Sequence, residues 1–177
     1  PWRLGLPREE LKTRAFPGGD DRLVAMTLEQ LIDVETVRIT RGLVSLRAHH
    51  PAYTPEESDL REAILRAVRE GRFAPPGLDE VQQRLGGEPA TSRMVQSLQE
   101  AGELVEVAPG IVFAADVLEE ITRLVLARIE TTGEITVAQL RDLLATSRKF
   151  ALALMEYFDG IHLTLRVGDR RLLAKPL

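Results

Sequence analysis

The sequence predicts a mostly α chain with small β-hairpins, an α+β array of repeated modules, and three observations lead there. Short β-rich segments around a turn occur three times: Glu35 to Leu46 with Arg41-Gly42, Gly102 to Ala114 with Pro109-Gly110, and Ile161 to Leu173 with Gly168-Asp169. Their turns recur at about 60 to 70 residues, the sequence signature of an array. Helical periodicity precedes each hairpin. The composition, 44% hydrophobic with only 5% aromatic, calls for an aliphatic core that suits several small modules better than one large sheet. Short helices followed by a β-hairpin are the plan of a winged-helix module, so the chain reads as a tandem winged-helix array.

The first module, residues 1–50, has a helix near Pro7 to Arg14, another near Asp20 to Asp33, and a wing. Only Pro1 to Gly5 precede them, so this module is expected to lack its first helix, and Ala48-His49-His50-Pro51-Ala52 is expected to link it to the next. The second module, residues 54–115, opens on Thr54-Pro55-Glu56-Glu57, a capping box with proline at the first helical position. Leu60, Ile64, Leu65 and Val68 give the helix after it one apolar stripe, which Gly71 and Pro75-Pro76-Gly77 terminate. Helices follow at about Leu78 to Leu85 and Ala90 to Ala101, the latter with Met94, Val95 and Leu98 inward, and then the hairpin of Leu104 to Val107 and Ile111 to Ala114.

The third module, residues 116–177, repeats that order. Val117, Ile121, Leu124, Val125 and Ile129 line one helix face, and Thr136 with Gln139 caps a second helix. A third helix runs from about Ser147 with Ala151, Leu154, Met155 and Phe158 inward, before a wing of Leu163 to Val167 and Arg171 to Ala174. Ala90-Thr91-Ser92-Arg93 and Ala145-Thr146-Ser147-Arg148 are expected to open the third helices of the last two modules in the same way.

Several chemistries find no residues here. The chain has no cysteine, hence no disulfide, thiolate metal site or Cys nucleophile, and no apolar run approaches the roughly 20 residues of a membrane span. A reducing, cytoplasmic setting without membrane contact is expected. No Gly-rich phosphate loop follows a strand. His49, His50 and His162 are spaced for neither a helical metal pair nor a catalytic triad, so a non-enzymatic chain without a metal or cofactor of its own is expected. A start at Pro1 without Met or leader reads as a piece of a larger protein.

Net charge is -4, but it is unevenly divided. Residues 141–177 carry seven Arg and Lys against four acids, net +3, and residues 1–140 carry 16 against 23, net -7. A polyanion is therefore expected to meet the C-terminal end. Arg148 and Lys149 fall in the first turn of a helix, where free N–H groups and the helix dipole favour anions and disfavour cations. Either a phosphate binds there, or the two side chains turn back to Asp142 or Glu156. Arg166, Arg170 and Arg171 surround the wing turn, where they either guard a sheet edge or contact phosphates and unstacked bases. Tyr157 either stacks on a base or rims the core.

The segments Ile135-Thr136-Val137-Ala138-Gln139-Leu140-Arg141-Asp142, Thr146-Ser147-Arg148-Lys149-Phe150-Ala151-Leu152, Leu154-Met155-Glu156-Tyr157-Phe158-Asp159 and Arg166-Val167-Gly168-Asp169-Arg170-Arg171-Leu172 stand in fixed order over about forty positions. They resemble the last winged-helix module of the bacterial selenocysteine-specific translation elongation factors. Gly5-Leu6-Pro7-Arg8-Glu9-Glu10-Leu11 and Gly102-Glu103-Leu104-Val105 look like parts of the second and third modules of that arm, which makes residues 1–50, 54–115 and 116–177 its second, third and fourth. The resemblance implies an RNA-binding arm that holds the selenocysteine insertion (SECIS) hairpin of mRNA so that selenocysteyl-tRNA is delivered at UGA. GTP and Mg would belong to an N-terminal domain outside this chain, and the ribosome and selenocysteyl-tRNA would be partners of the full-length factor, a cytoplasmic monomer. By position, the implied RNA contacts are Ser147, Arg148, Lys149, Arg166, Arg170 and Arg171, with Arg141 and Tyr157 as secondary candidates. Leu140, Phe150 and Leu165 depart from the family pattern, which commonly has Phe, Tyr and a basic residue there; the last removes a charge from the wing.

Two other readings compete. A winged-helix DNA-binding regulator would carry basic, Asn or Gln residues along the outer face of the third helix, a face read here as Lys149, Ala153 and Glu156. A protein-interaction array would present a large apolar patch.

Overall fold

A computed structural model describes residues 5–40, 42–49, 53–86 and 89–174. Arg41 of the first wing turn, His50, Pro51 and Ala52 of the linker, and Lys175 of the basic tally lie outside the described residues. The chain divides into two compact units, residues 1–58 and 59–177. The architecture is mostly helical with small antiparallel sheets, as the sequence predicts.

The first unit contains β1 (Leu6–Pro7), α1 (Arg8–Ala15), α2 (Asp21–Asp33), β2 (Val37–Thr40) and β3 (Leu43–Leu46). The strands are ordered β1-β3-β2, with Leu6 opposite Val44 and Val37 opposite Leu46. Asp20 caps α2 by accepting from the Arg22 amide at 3.0 Å. The apolar stripe of α2 turns Val24 and Leu28 onto Val37 and Val44 of the sheet, with Leu11, Phe16 and Leu31 around them. This is a small core, and it is open. A cavity of about 580 Å³ remains between Leu6, Leu11, Phe16, Leu28, Leu31 and Val44.

The second unit begins within α3 (Pro55–Glu70), whose Thr54 and Glu57 form the expected reciprocal cap at 2.8 and 3.3 Å. It continues through α4 (Leu78–Arg84), α5 (Ala90–Ala101), β4 (Leu104–Ala108) and β5 (Ile111–Ala114). From β5 the chain passes without a linker into α6 (Ala115–Thr132). Then come β6 (Ile135–Thr136), α7 (Val137–Leu144), α8 (Arg148–Gly160), β7 (Thr164–Val167) and β8 (Arg170–Leu173). The two sheets are β4-β5 and β6-β8-β7. Gly110 and Gly168, at φ +73° and +63°, supply the positive dihedrals that both tight wing turns require.

A single core crosses the division expected at residues 115 and 116. Val107, Ile111 and Phe113 of the β4–β5 hairpin lie in the same apolar cluster as Ile121, Val125 and Ile129 of α6 and Ala151, Leu154, Met155 and Phe158 of α8. The β4–β5 register shifts between Glu106 and Ala108, a bulge that accompanies the burial of Val107. Exposed pairs, Arg69 to Asp116 at 2.9 Å and Arg72 to Glu120 at 2.6 Å, rim this junction and contribute little beside the buried area.

Candidate nucleic-acid interface

The α7 and α8 helices begin differently. α7 has a complete capping box: the Thr136 hydroxyl accepts from the Gln139 amide at 3.2 Å, and the Gln139 side chain accepts from the Thr136 amide at 2.9 Å. α8 is capped by Ser147 without any side-chain hydrogen bond, so the Arg148, Lys149 and Phe150 amides keep no helical acceptor. Ser147, Arg148 and Lys149 are all exposed. Neither cation forms a salt bridge among the described residues: Asp142 pairs with Arg141 instead, and Lys149 lies 5.8 Å from the Phe150 ring centroid. The turn-back pairing with Asp142 or Glu156 therefore does not occur, and the two charges stand beside open amides. Two cations at the positive end of a helix dipole are unfavourable until an anion joins them.

The position of this helix start is set by the preceding module. The Thr146 hydroxyl donates to the Phe73 carbonyl at 2.6 Å, and Phe150 packs edge-on against Phe113 at 6.3 Å between ring centroids. The shared letters Ala-Thr-Ser-Arg do not act alike. In the middle module Ala90 is already helical after a Pro89 cap, whereas Ala145 takes a left-handed conformation at φ 48° and α8 starts only at Arg148. The expected equivalence is corrected by loop length. Three residues join α7 to α8 and five join α4 to α5, so the same segment spans a turn in one place and a helix in the other.

At the other end of α8 the wing carries a second set. Arg166 is exposed, and its Nε donates to the Gly168 carbonyl at 3.1 Å, which holds the guanidinium back over the turn. Arg170, also exposed, pairs with Glu134 at 2.9 Å. Arg171 corrects the sequence reading: its side chain is only 3% exposed, its Nε donates to Asp159 at 3.2 Å, and it presents no surface for a ligand. The reason is register. Arg171 lies opposite both Arg166 and Ile135 on the central strand β8, and its side chain is turned inward to Asp159 at the end of α8.

Arg141 is held by its neighbour Asp142 through Nε and Nη2 at 2.8 and 2.6 Å. Tyr157 is half-buried, its ring edge-on to Phe158 at 5.8 Å, so its ring belongs to the core rim. Ala153, read as outward-facing from helical spacing, is buried at 5% exposure, in one core with the β4–β5 hairpin. The candidates thus form two patches, Ser147-Arg148-Lys149 and Arg166-Arg170, at opposite ends of a helix about 18 Å long by its rise per residue. Glu134, Asp159 and Phe73 have no signal in local sequence. Their partners are 36, 12 and 73 residues away.

Two family models described as winged helix of elongation factor SelB match residues 1–46 and 127–173. The chain is 28% identical over 176 residues to a selenocysteine-specific elongation factor of Desulfomicrobium baculatum, and 24% identical over 176 residues to that of Escherichia coli. These alignments take in 99% and 98% of this chain and 28% of each relative, so the chain spans just over a quarter of their length. Among solved structures, the mRNA-binding domain of Escherichia coli SelB in complex with SECIS RNA superposes with a TM-score of 0.57 at 22% identity, over 67% of this chain and 99% of that one. A bacterial selenocysteine-specific elongation factor superposes with a TM-score of 0.56 at 17% identity, over 97% of this chain and 26% of the other. Both show the same tandem fold, and with the two family matches together taking in more than half of the residues, this chain belongs to the winged-helix region of the SelB elongation-factor family.

Proposed function

We propose that this chain is the messenger-binding arm of a selenocysteine-specific elongation factor, and that its last module holds a SECIS hairpin in mRNA while the full-length factor delivers selenocysteyl-tRNA at UGA on the ribosome. The carrying observation is the α8 start: uncapped amides flanked by Arg148 and Lys149, neither in a salt bridge among the described residues. Backbone donors and two cations converging on one point suit a phosphate. Arg166 and Arg170, exposed on either side of a tight turn, suit unstacked bases and a second phosphate.

The chain is non-catalytic in this reading and needs no cofactor; GTP and Mg belong to another domain of the longer factor, which works as a monomer in the cytoplasm. Among the described residues no helix is long and apolar enough to cross a membrane. Major-groove reading of DNA is disfavoured, because Ala153 on the face that would enter a groove is buried in the core shared with the β4–β5 hairpin. Titrating the chain with a SECIS hairpin, a loop-mutated hairpin and a duplex DNA of the stem sequence tests the proposal. Tightest binding to the intact hairpin supports it, and equal binding to the DNA overturns it.

A further inference from the structure

We propose that Arg171, with Asp159, is a positioning pair for the wing: it touches no RNA, yet sets where Arg166 stands. The inference rests on the hairpin-binding reading above and concerns how that site discriminates.

Arg171 is the most buried charged residue among those described, and its Nη2 has no hydrogen-bond partner. Burying a guanidinium with one ion pair and an orphaned nitrogen is costly, and an apolar side chain of similar volume commonly serves stability at least as well. Its use must therefore be sought in geometry. Asp159 occupies the last turn of α8, where the negative end of the helix dipole opposes a carboxylate. That carboxylate faces both wing strands, accepting from Thr164 of β7 at 2.6 Å through Oδ1 and from Arg171 of β8 at 3.2 Å through Oδ2. One group thus ties the end of α8 to both strands of the wing.

Arg166 lies directly opposite Arg171 in the β7–β8 register, and both side chains leave the same face of the sheet. Two cations so placed repel each other unless one is neutralised. Asp159 neutralises Arg171, which leaves the exposed Arg166 as the cation at this point of the wing. Removing the pair should free the wing from α8 and blunt loop discrimination, with the phosphate patch at the far end of the helix unaffected.

The test is a set of double-mutant cycles in the full chain, by filter binding to a SECIS hairpin and to the same stem with a scrambled loop. Arg171→Met should weaken the cognate hairpin about tenfold and the scrambled one less than about twofold. In the Arg171→Met background, Arg166→Ala should cost little more, whereas Arg148→Ala should cost its full wild-type factor. Asp159→Asn, which preserves shape, should reproduce the pattern if Arg171→Met unfolds. Equal losses on both loops with the salt slope lowered by roughly one would make Arg171 a phosphate ligand and overturn the proposal. Unchanged affinity, or an undiminished Arg166→Ala effect in both backgrounds, would overturn it as well. If the unmodified chain itself fails to prefer the cognate loop, the hairpin-binding reading fails first, and that result is separate from the behaviour of the variants.

Discussion

The wings of the middle and last modules are both antiparallel hairpins closed by a glycine turn, yet they have opposite surroundings. In the middle module all four residues of β5 are buried, and the hairpin lies in one core with α6 and α8. In the last module only Thr164 of β7 and Arg171 of β8 are buried; Leu165, Arg166, Val167 and Arg170 face solvent. The first wing serves as packing between two modules and the second projects. A wing is therefore not in itself a nucleic-acid element: which role it takes follows from whether the next helix folds back over it. Because β5 runs directly into α6, the middle wing has no freedom to stand away from the last module.

The sharpest way to break this contrast is to remove the middle wing from the core. Phe113→Ala should destabilise the second unit by about 3 to 5 kcal/mol, the usual cost of deleting a buried Phe. Calorimetry should show one transition moving down as a whole, and an unshifted α6–β8 transition would show that the two modules fold independently. Residues 54–177 should fold and bind the hairpin like the full chain, because they keep the Thr54 cap and the whole shared core. Residues 116–177, stripped of Val107, Ile111 and Phe113, should lose cooperative melting in circular dichroism.

The projecting wing should respond in affinity rather than stability. Arg166→Ala should cost about 1 to 3 kcal/mol on the cognate loop and little on a scrambled one, with the melting free energy changed by less than about 0.5 kcal/mol. Equal losses on both loops would reduce the wing to a phosphate clamp. Arg148→Ala, at the α8 start, should weaken all hairpins alike and lower the salt slope by roughly one. A loop-specific loss there would transfer base reading from the wing to the helix.

The smallest expected effect is at Leu165, 59% exposed on the edge strand β7. Leu165→Lys should leave stability within about 0.5 kcal/mol and steepen the salt dependence by at most about one. A large loss of stability would show that the last wing is packed after all.

Much of this protein was legible before any fold. Periodicity marked the helices, because a helix must turn every third or fourth residue inward: Ile64, Leu65 and Val68, and Ile121, Val125 and Ile129, are all buried as spaced. The Thr54 and Thr136 capping boxes formed because their partners lie three residues away. The first-turn place of Arg148 and Lys149 was equally local, but Ser is a favoured cap, and the absence of a Ser147 side-chain cap bond is seen only in the fold.

Burial of a polar group and the identity of its partner are different in kind. Arg166, Arg170 and Arg171 look alike in a row of letters, and only the β6-β8-β7 order and the acid at the end of α8 separate an exposed arginine from one paired with Glu134 and one sealed beneath the sheet. Ala153 reads as outward until the β4–β5 hairpin joins its core, and identical Ala-Thr-Ser-Arg segments part company because one forms the shorter loop and docks Thr146 onto Phe73. The modules, their helices and the charge at the C-terminal end depend on neighbours within a turn or two of the chain, and so are written in the order of residues. Which modules share a core, and which of the described arginines stay exposed, depend on contacts between residues tens of positions apart, where spacing along the chain carries no information.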